Sequence, residues 1–203
     1  MKLPSFFYER ELTGKGHCVI GVDEVGCGCL AGPVIAAAVH LPLNSRIGEI
    51  NDSKLLSPDA RYNIFSKFVG MGLKFTVGLA SVSEIDSINI RRATYLAMKR
   101  AIDAFSGATF ALIDAWTVPD IGIMQKGIIH GDRIVKSIAA ASIIAKVVRD
   151  RLMTELDGEY EGYFFAKHKG YGTRLHYSAI SRLGPSALHR RSFLKNFVAS
   201  DRV

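Results

Sequence analysis

Cys18-Val19-Ile20-Gly21-Val22-Asp23-Glu24-Val25-Gly26-Cys27-Gly28-Cys29-Leu30-Ala31-Gly32-Pro33-Val34-Ile35-Ala36-Ala37-Ala38-Val39-His40-Leu41 is the stretch whose reading decides the fold. Residues 18–25 read as a buried strand, 26–33 as a turn, and 34–41 as a second strand returning from it, so the stretch predicts a hairpin. Two acids, Asp23 and Glu24, interrupt the first strand. Strand side chains alternate faces, so both reach one site only if the strand ends, bends or bulges there.

Working outward, Ser57 and Pro58 start a helix over 58–68. Residues 74–82 read as a third strand. A single long helix is expected over 83–105, capped by Ser83, with Ile85, Ile88, Ala93, Leu96, Ala97 and Ile102 near the 3.6-residue period. Short strands are expected over 109–113, ending at Asp114, and over 127–130. Helices follow over 137–156 and 173–183, the last closed by Gly184-Pro185. Strands first, then alternating helices and strands, predict an α/β fold with a mixed β-sheet flanked by helices.

The chain has 203 residues, 48% of them apolar. That suits one domain with at most a small appendage, burying about 70% of its unfolded surface without staples. Three cysteines make no disulfide framework, which fits a reducing cytoplasm. The apolar run 138–148 is too short to span a bilayer and carries Lys146. The first residues have no apolar signal core, so neither membrane nor secretion is expected. Lys and Arg number 26 against 19 Asp and Glu. Residues 1–162 carry 18 of each sign, so the whole excess lies in residues 163–203, with 8 basic groups, one acid and seven aromatics. We read 1–162 as a catalytic unit and 163–203 as a basic, aromatic region for substrate. Such a region suits nucleic acid; a solvated basic face over core aromatics has the same composition.

Asp23, Glu24, Asp114 and Asp132 stand where apolar sequence predicts burial, near strand ends, where open sheets place ligands. Clustered carboxylates stay ionised together only with cations between them. Oxygen ligands favour Mg²⁺ or Mn²⁺, two of which serve phosphodiester hydrolysis. Taken singly, a strand-end acid is more often a cap, a turn residue or half an ion pair. The pattern Gly26-x-Gly28-x-x-Ala31 loosely fits a dinucleotide loop, but a strand, not a helix, follows it.

The residues carry a resemblance. Residues 21–26 and 30–39, Asn51-Asp52-Ser53-Lys54, Leu112-Ile113-Asp114, Gly131-Asp132 with 138–150, His168-Lys169-Gly170-Tyr171-Gly172-Thr173 and Gly184-Pro185 through His189-Arg190-Arg191-Ser192-Phe193 resemble ribonuclease HII, in family order. The resemblance implies a ribonuclease H-like fold with a small helical C-terminal region. It implies hydrolysis of the RNA strand of RNA–DNA hybrids and incision at ribonucleotides embedded in duplex DNA, leaving 3′-hydroxyl and 5′-phosphate ends. The family's metal-binding, catalytic carboxylates map onto Asp23, Glu24, Asp114 and Asp132, and its sugar-stacking tyrosine onto Tyr171. The turn Gly26-Cys27-Gly28 brings backbone groups close to a 2′-hydroxyl, the group that separates RNA from DNA. Lys54, His168 and Lys169 are candidate phosphate holders, although Lys54 also reads as a solvated loop lysine. Ser142, Lys146 and Asp150 share a helix face. Lys146 and Asp150 form an ion pair there, or Asp150 lies near the metals as an outer carboxylate.

The chain departs from the family at Cys27, where the family turn reads Gly-Arg-Gly. Losing a charged hydrogen bond to phosphate implies binding weaker by about 10- to 100-fold. A hybrid-binding module without catalysis is therefore the alternative, and a metal phosphohydrolase of another substrate is a third reading. Cys27 and Cys29 lack the ligand number for structural zinc; they read as small buried side chains or as an oxidation-sensitive pair. A monomer with no evident protein partner is expected.

Overall fold

A computed structural model describes residues 3–43, 45, 50 and 56–195. β1 (Val19–Val25), β2 (Val34–Val39), β3 (Phe75–Ala80), β4 (Phe110–Asp114) and β5 (Met124–Ile128) form one sheet in the order β3-β2-β1-β4-β5. β1, β2 and β3 are successively antiparallel, whereas β4 and β5 run parallel to β1. The expected hairpin is therefore present at the centre of a mixed sheet. The helices are α1 (Phe7–Gly14), α2 (Pro58–Gly70), α3 (Val82–Ile88), α4 (Ile90–Asp103), α5 (Gly131–Ile134), α6 (Lys136–Glu155), α7 (Phe165–His168) and α8 (Arg174–Leu183).

The two faces of the sheet are closed by different helices. α4 lies on β2 and β3, and α6 on β1 and β2. Alternation along β1 sorts its side chains accordingly. Ile20 and Val22 join the core beneath α4, with Ala36, Ala97 and Met98. Gly21 turns to α6, whose backbone comes so close that a Cβ at Gly21 would overlap the Ser137 carbonyl. Small residues along α6, Ala139 to Ala141 and Ala145, pack with Ala37 and Val39 and keep that helix low on the sheet. Residues 163–195 cover the β1–β2 turn: Tyr163, Phe165 and Ala179 form a small core with Ala31 and Met153. Among the described residues no helix is long and apolar enough to cross a membrane.

Two element readings need correction. The single helix expected over 83–105 is two, α3 and α4, divided at Asn89 with φ +69°. Ser81, not Ser83, caps α3 in a reciprocal box with Glu84, and the Asn89 side chain caps α4 at Arg92. The apolar period runs on across the break, so periodicity is blind to it. The strand expected over 127–130 lies earlier, at Met124–Ile128, and His130 is left-handed at φ +56°. β5 is an edge strand with largely exposed side chains, so it lacks an apolar signature. Ser57 caps α2 as expected. No pattern announced α1, which is tied in where buried Glu9 accepts the Ser137 N–H at 2.8 Å.

Gly21→Ala is expected to cost roughly 3 kcal/mol or more, because backbone rather than a movable side chain fills the space. Urea unfolding measures this, and a loss under 1 kcal/mol would contradict the close approach.

Candidate active site

Asp23 and Glu24 come together without a bulge. β1 pairs with β2 in unbroken register through Val25, opposite Ile35. Its pairing with β4 stops at Val22 opposite Ile113. Beyond that point one side of β1 is open, and Asp114 closes β4 beside it. Asp23 is buried on the α6 side, hydrogen-bonded to the Ser142 side chain. Glu24 is on the α4 side, where the Cys27 thiol donates to its Oε1 at 3.5 Å. The pair straddles the sheet end rather than sharing a face, and each carboxylate feels the charge of Asp114.

Backbone donors fix the acids. The Glu24 N–H donates to Asp23 Oδ1 at 2.7 Å, and the Gly131 N–H donates to Asp114 Oδ1 at 2.7 Å. Asp132 follows Gly131 in α5 and is buried. Burial first, then Glu24 and Asp114, hold the Asp23 carboxyl well above the usual carboxylate range. Glu24 is raised by burial and by Asp114. The cluster thus resists full ionisation in the absence of a cation, and a divalent ion reverses that penalty. Among the described residues no three or more His, Cys, Asp and Glu groups already form a metal site. The donor set still fits Mg²⁺ or Mn²⁺, since oxygen-liganded Mg²⁺ is commonly held by one or two carboxylates and completed by substrate phosphate.

The turn after β1 is held from beneath. Gly26 has φ +98°, and a Cβ there would run into Arg149. Arg149 has no solvent exposure and donates to Pro33 O at 3.0 Å, Ala31 O at 3.0 Å and Lys169 O at 2.8 Å. Arg190, equally buried, donates to Gly32 O at 2.9 Å and Cys27 O at 3.1 Å. Gly170 O accepts from Leu30 N at 2.8 Å, joining the turn to the Tyr171 loop. Burial and the Glu24 charge push the Cys27 thiol up to about 12, and burial raises Cys29 too. Both therefore stay protonated, which argues against the oxidation-sensitive pair, because the thiolate is the reactive form.

Tyr171 lines a cleft of about 710 Å³ together with Arg61, Lys146, Asp150, Arg151 and Lys169. Lys146 Nζ lies 5.3 Å from its ring centre. Asp150 pairs with Lys146 at 2.8 Å and Arg61 at 3.9 Å, so the ion-pair reading describes it. Lys169 Nζ donates to Thr154 Oγ1 at 2.9 Å and to Ala166 O. Lys54 lies outside the described residues.

His168 is not a phosphate holder as it stands: both ring nitrogens are used inside the fold. It belongs to a buried chain with His176 and His189 that supports the Tyr171 loop. His168 Nε2–H donates to Tyr163 O at 2.8 Å, and Nδ1 accepts the Gly170 N–H at 3.2 Å. His176 Nδ1–H donates to Tyr171 O at 2.9 Å, so Nε2 accepts from His189 Nε2–H at 3.0 Å. His189 Nδ1 then accepts the Ser186 N–H at 2.9 Å. One tautomer of each neutral ring satisfies every bond, and an added proton on any ring would face another N–H.

Sequence reasoning passed over Arg149, Arg190, His176 and His189. A signal existed for Arg149 alone: it falls seven residues after Ser142, on one face of a helix that also buries Ala145 and Met153.

A family model described as Ribonuclease HII matches residues 20–196. Ribonuclease HII of Dehalococcoides mccartyi is 48% identical over 195 residues, covering 94% of this chain and 92% of its own. Among solved structures, ribonuclease H2 from Pyrococcus horikoshii OT3 is similar with TM-score 0.74 at 24% identity, covering 91% of this chain and 97% of that one. Bst RNase HIII in complex with Mn²⁺ is similar with TM-score 0.67 at 19% identity, covering 91% and 70%. At these identities the two structures show the shared fold.

Acid is expected to loosen the Tyr171 support. Burial lowers His168, and burial with neighbouring histidines lowers His176 and His189 to about 4. Unfolded histidine takes up its proton near pH 6.5. The unfolded state therefore binds more protons between about pH 6.5 and 4, and this contribution to stability falls as pH drops through that window. Asp23 and Glu24 act in the opposite sense, so the ring signals decide. NMR titration is expected to show His176 and His189 still neutral at pH 5, and midpoints near 6.5 would refute the neutral chain.

Proposed function

The chain belongs to the ribonuclease HII family, and we propose that the carboxylates at the ends of β1 and β4 are where it cuts RNA strands of RNA–DNA hybrids and ribonucleotides embedded in duplex DNA, using Mn²⁺ or Mg²⁺. It is an endoribonuclease with the ribonuclease H fold. The observation that carries the proposal is the set Asp23, Glu24 and Asp114 at an open sheet end, where the charge of Asp114 reaches both neighbours. The glycine turn follows Glu24 directly, and the cleft that Tyr171 lines runs along α6, the helix whose Ser142 holds Asp23.

Asp23, Glu24, Asp114 and Asp132 would hold the ions. When bound, such ions lower the pKa of the attacking water and offset charge on the departing oxygen. The chain's own groups do the rest. Ser142 and the Glu24 N–H hold Asp23, and the Gly131 N–H holds Asp114. Polar backbone groups of Gly26, Cys27 and Gly28 meet the ribose 2′-hydroxyl, a test that needs no side chain at position 27. Tyr171 packs against the neighbouring deoxyribose, with Lys146 and Lys169 toward its phosphates. Water attacks phosphorus and the 3′-oxygen leaves, giving 3′-hydroxyl and 5′-phosphate ends. Mn²⁺ in the RNase HIII neighbour supports the metal reading. We read the enzyme as a cytoplasmic monomer.

Cys27 invites a second reading, a hybrid binder without catalysis. Clustered acids argue against it, since without cations they repel phosphate.

Duplex DNA with one ribonucleotide is expected to be incised with Mn²⁺ or Mg²⁺ and left intact in chelator. Asp23→Asn is expected to slow incision by at least about 100-fold, the scale already reached by losing a metal ligand's outer support. Undiminished cutting in chelator would refute the metal reading, and firm hybrid binding with no cutting would favour the binder. Cys27→Arg is expected to tighten hybrid binding by about 10- to 100-fold in a Kd titration. An unchanged Kd would show that position 27 holds no phosphate.

A further inference from the structure

On the α4 side of the carboxylates, away from Tyr171, a second cavity of about 370 Å³ is lined by Glu24, Cys27, Ile90, Arg91, Thr94, Tyr95 and Trp116. Trp116 is the chain's sole tryptophan and is 55% exposed. Core packing does not explain its place, but the backbone does. After Asp114, the chain takes a left-handed step at Ala115, φ +58°, and the Trp116 N–H donates to Asp114 O at 2.7 Å. Side chains with a Cβ rarely adopt that conformation, and such strain gathers at functional sites. The step puts the indole beside the cavity that Glu24 lines. Arg91 covers part of the ring, with Cζ 5.0 Å from its centre, and is itself steadied by the Tyr95 hydroxyl, 3.1 Å from Nε.

Asp23 looks to the α6 side and Glu24 to the α4 side, so a strand crossing the sheet end has a cation and an aromatic ring at both exits. One exit is Lys146 with Tyr171; the other is Arg91 with Trp116. We propose that Arg91 and Trp116 bind the sugar and phosphate of a substrate nucleotide on the side of the cut opposite Tyr171, the indole against the sugar and the guanidinium on the phosphate. Bases in a duplex are already paired and stacked, so the sugar–phosphate edge is what an exposed ring meets, and phosphate contacts set register. This inference rests on the nuclease reading of the carboxylates.

The test is steady-state cleavage of hybrid by wild type, Trp116→Ala, Trp116→Phe and Arg91→Ala. Trp116→Ala is expected to raise KM about tenfold with kcat within about twofold, the scale of an aromatic contact to one nucleotide. Trp116→Phe is expected to restore most of the loss. Arg91→Ala is expected to reduce the salt slope of binding by about one. Shortening the duplex on the side opposite Tyr171 should erase the Trp116→Ala effect, whereas shortening the other side should not. In any mixture where labelled-hybrid anisotropy shows binding, the single tryptophan's emission should change. An unchanged KM in Trp116→Ala, a penalty that persists on the shortened duplex, or bound hybrid with unaltered emission would each overturn the subsite. If wild type cuts no hybrid at all, the nuclease reading itself fails, a result distinct from these.

Discussion

Three carbonyls converge on one guanidinium that water does not reach. Arg149 binds Pro33 and Ala31 of the glycine turn and Lys169 of the Tyr171 loop, segments more than 110 residues apart in the chain. A buried cation is costly unless its donors are satisfied. Here neutral carbonyls satisfy it, so the charge is kept and its geometry is fixed by several bonds at once. Nothing else among the described contacts joins helix, turn and loop through a single side chain. The site is assembled on α6, which also brings Ser142 to Asp23 and Lys146 to Tyr171. The helix can do so because Gly21 and the alanines let it lie against β1.

Two kinds of electrostatic frustration meet across this frame. The acids at the sheet end are mutually repulsive and partly desolvated, a state that favours cations. The turn and loop beside them are tied by buried arginines and by three histidines that must remain neutral. The first arrangement holds Asp23 and Glu24 against full ionisation. The second directs the Arg149 donors and the ring nitrogens of the three histidines to partners inside the fold, which ties the Tyr171 loop to the turn backbone. The proposed site at one end of the sheet therefore adjoins polar groups whose own chemistry is turned inward.

Much of this was legible in the order of the residues. The central hairpin followed from apolar runs around a glycine turn, and the four acids were conspicuous because each interrupts or ends such a run. The break at Asn89 was not legible, because its side chain caps a helix whose apolar stripe continues the preceding one. β5 escaped because an exposed edge strand needs no apolar face. The neutral chain of His168, His176 and His189 escaped because ring stacking and tautomers are properties of folded neighbours, not of spacing.

The sequence by itself determined the family, the mixed sheet and the identity of the chemical groups, since apolar periodicity, capping residues and motif order are local properties of the chain. Only the tertiary structure decided how adjacent Asp23 and Glu24 are placed. β1 continues on one side while β4 ends on the other, so the pair straddles an open sheet end and both feel Asp114. It also decided which cations face solvent and which are structural. Arg149 and Arg91 look alike in sequence, yet the first is enclosed by carbonyls and the second lies over an exposed indole. The physical reason is burial: the same charged group becomes an internal clamp or stays at the surface according to whether backbone or water surrounds it, and no local pattern records that.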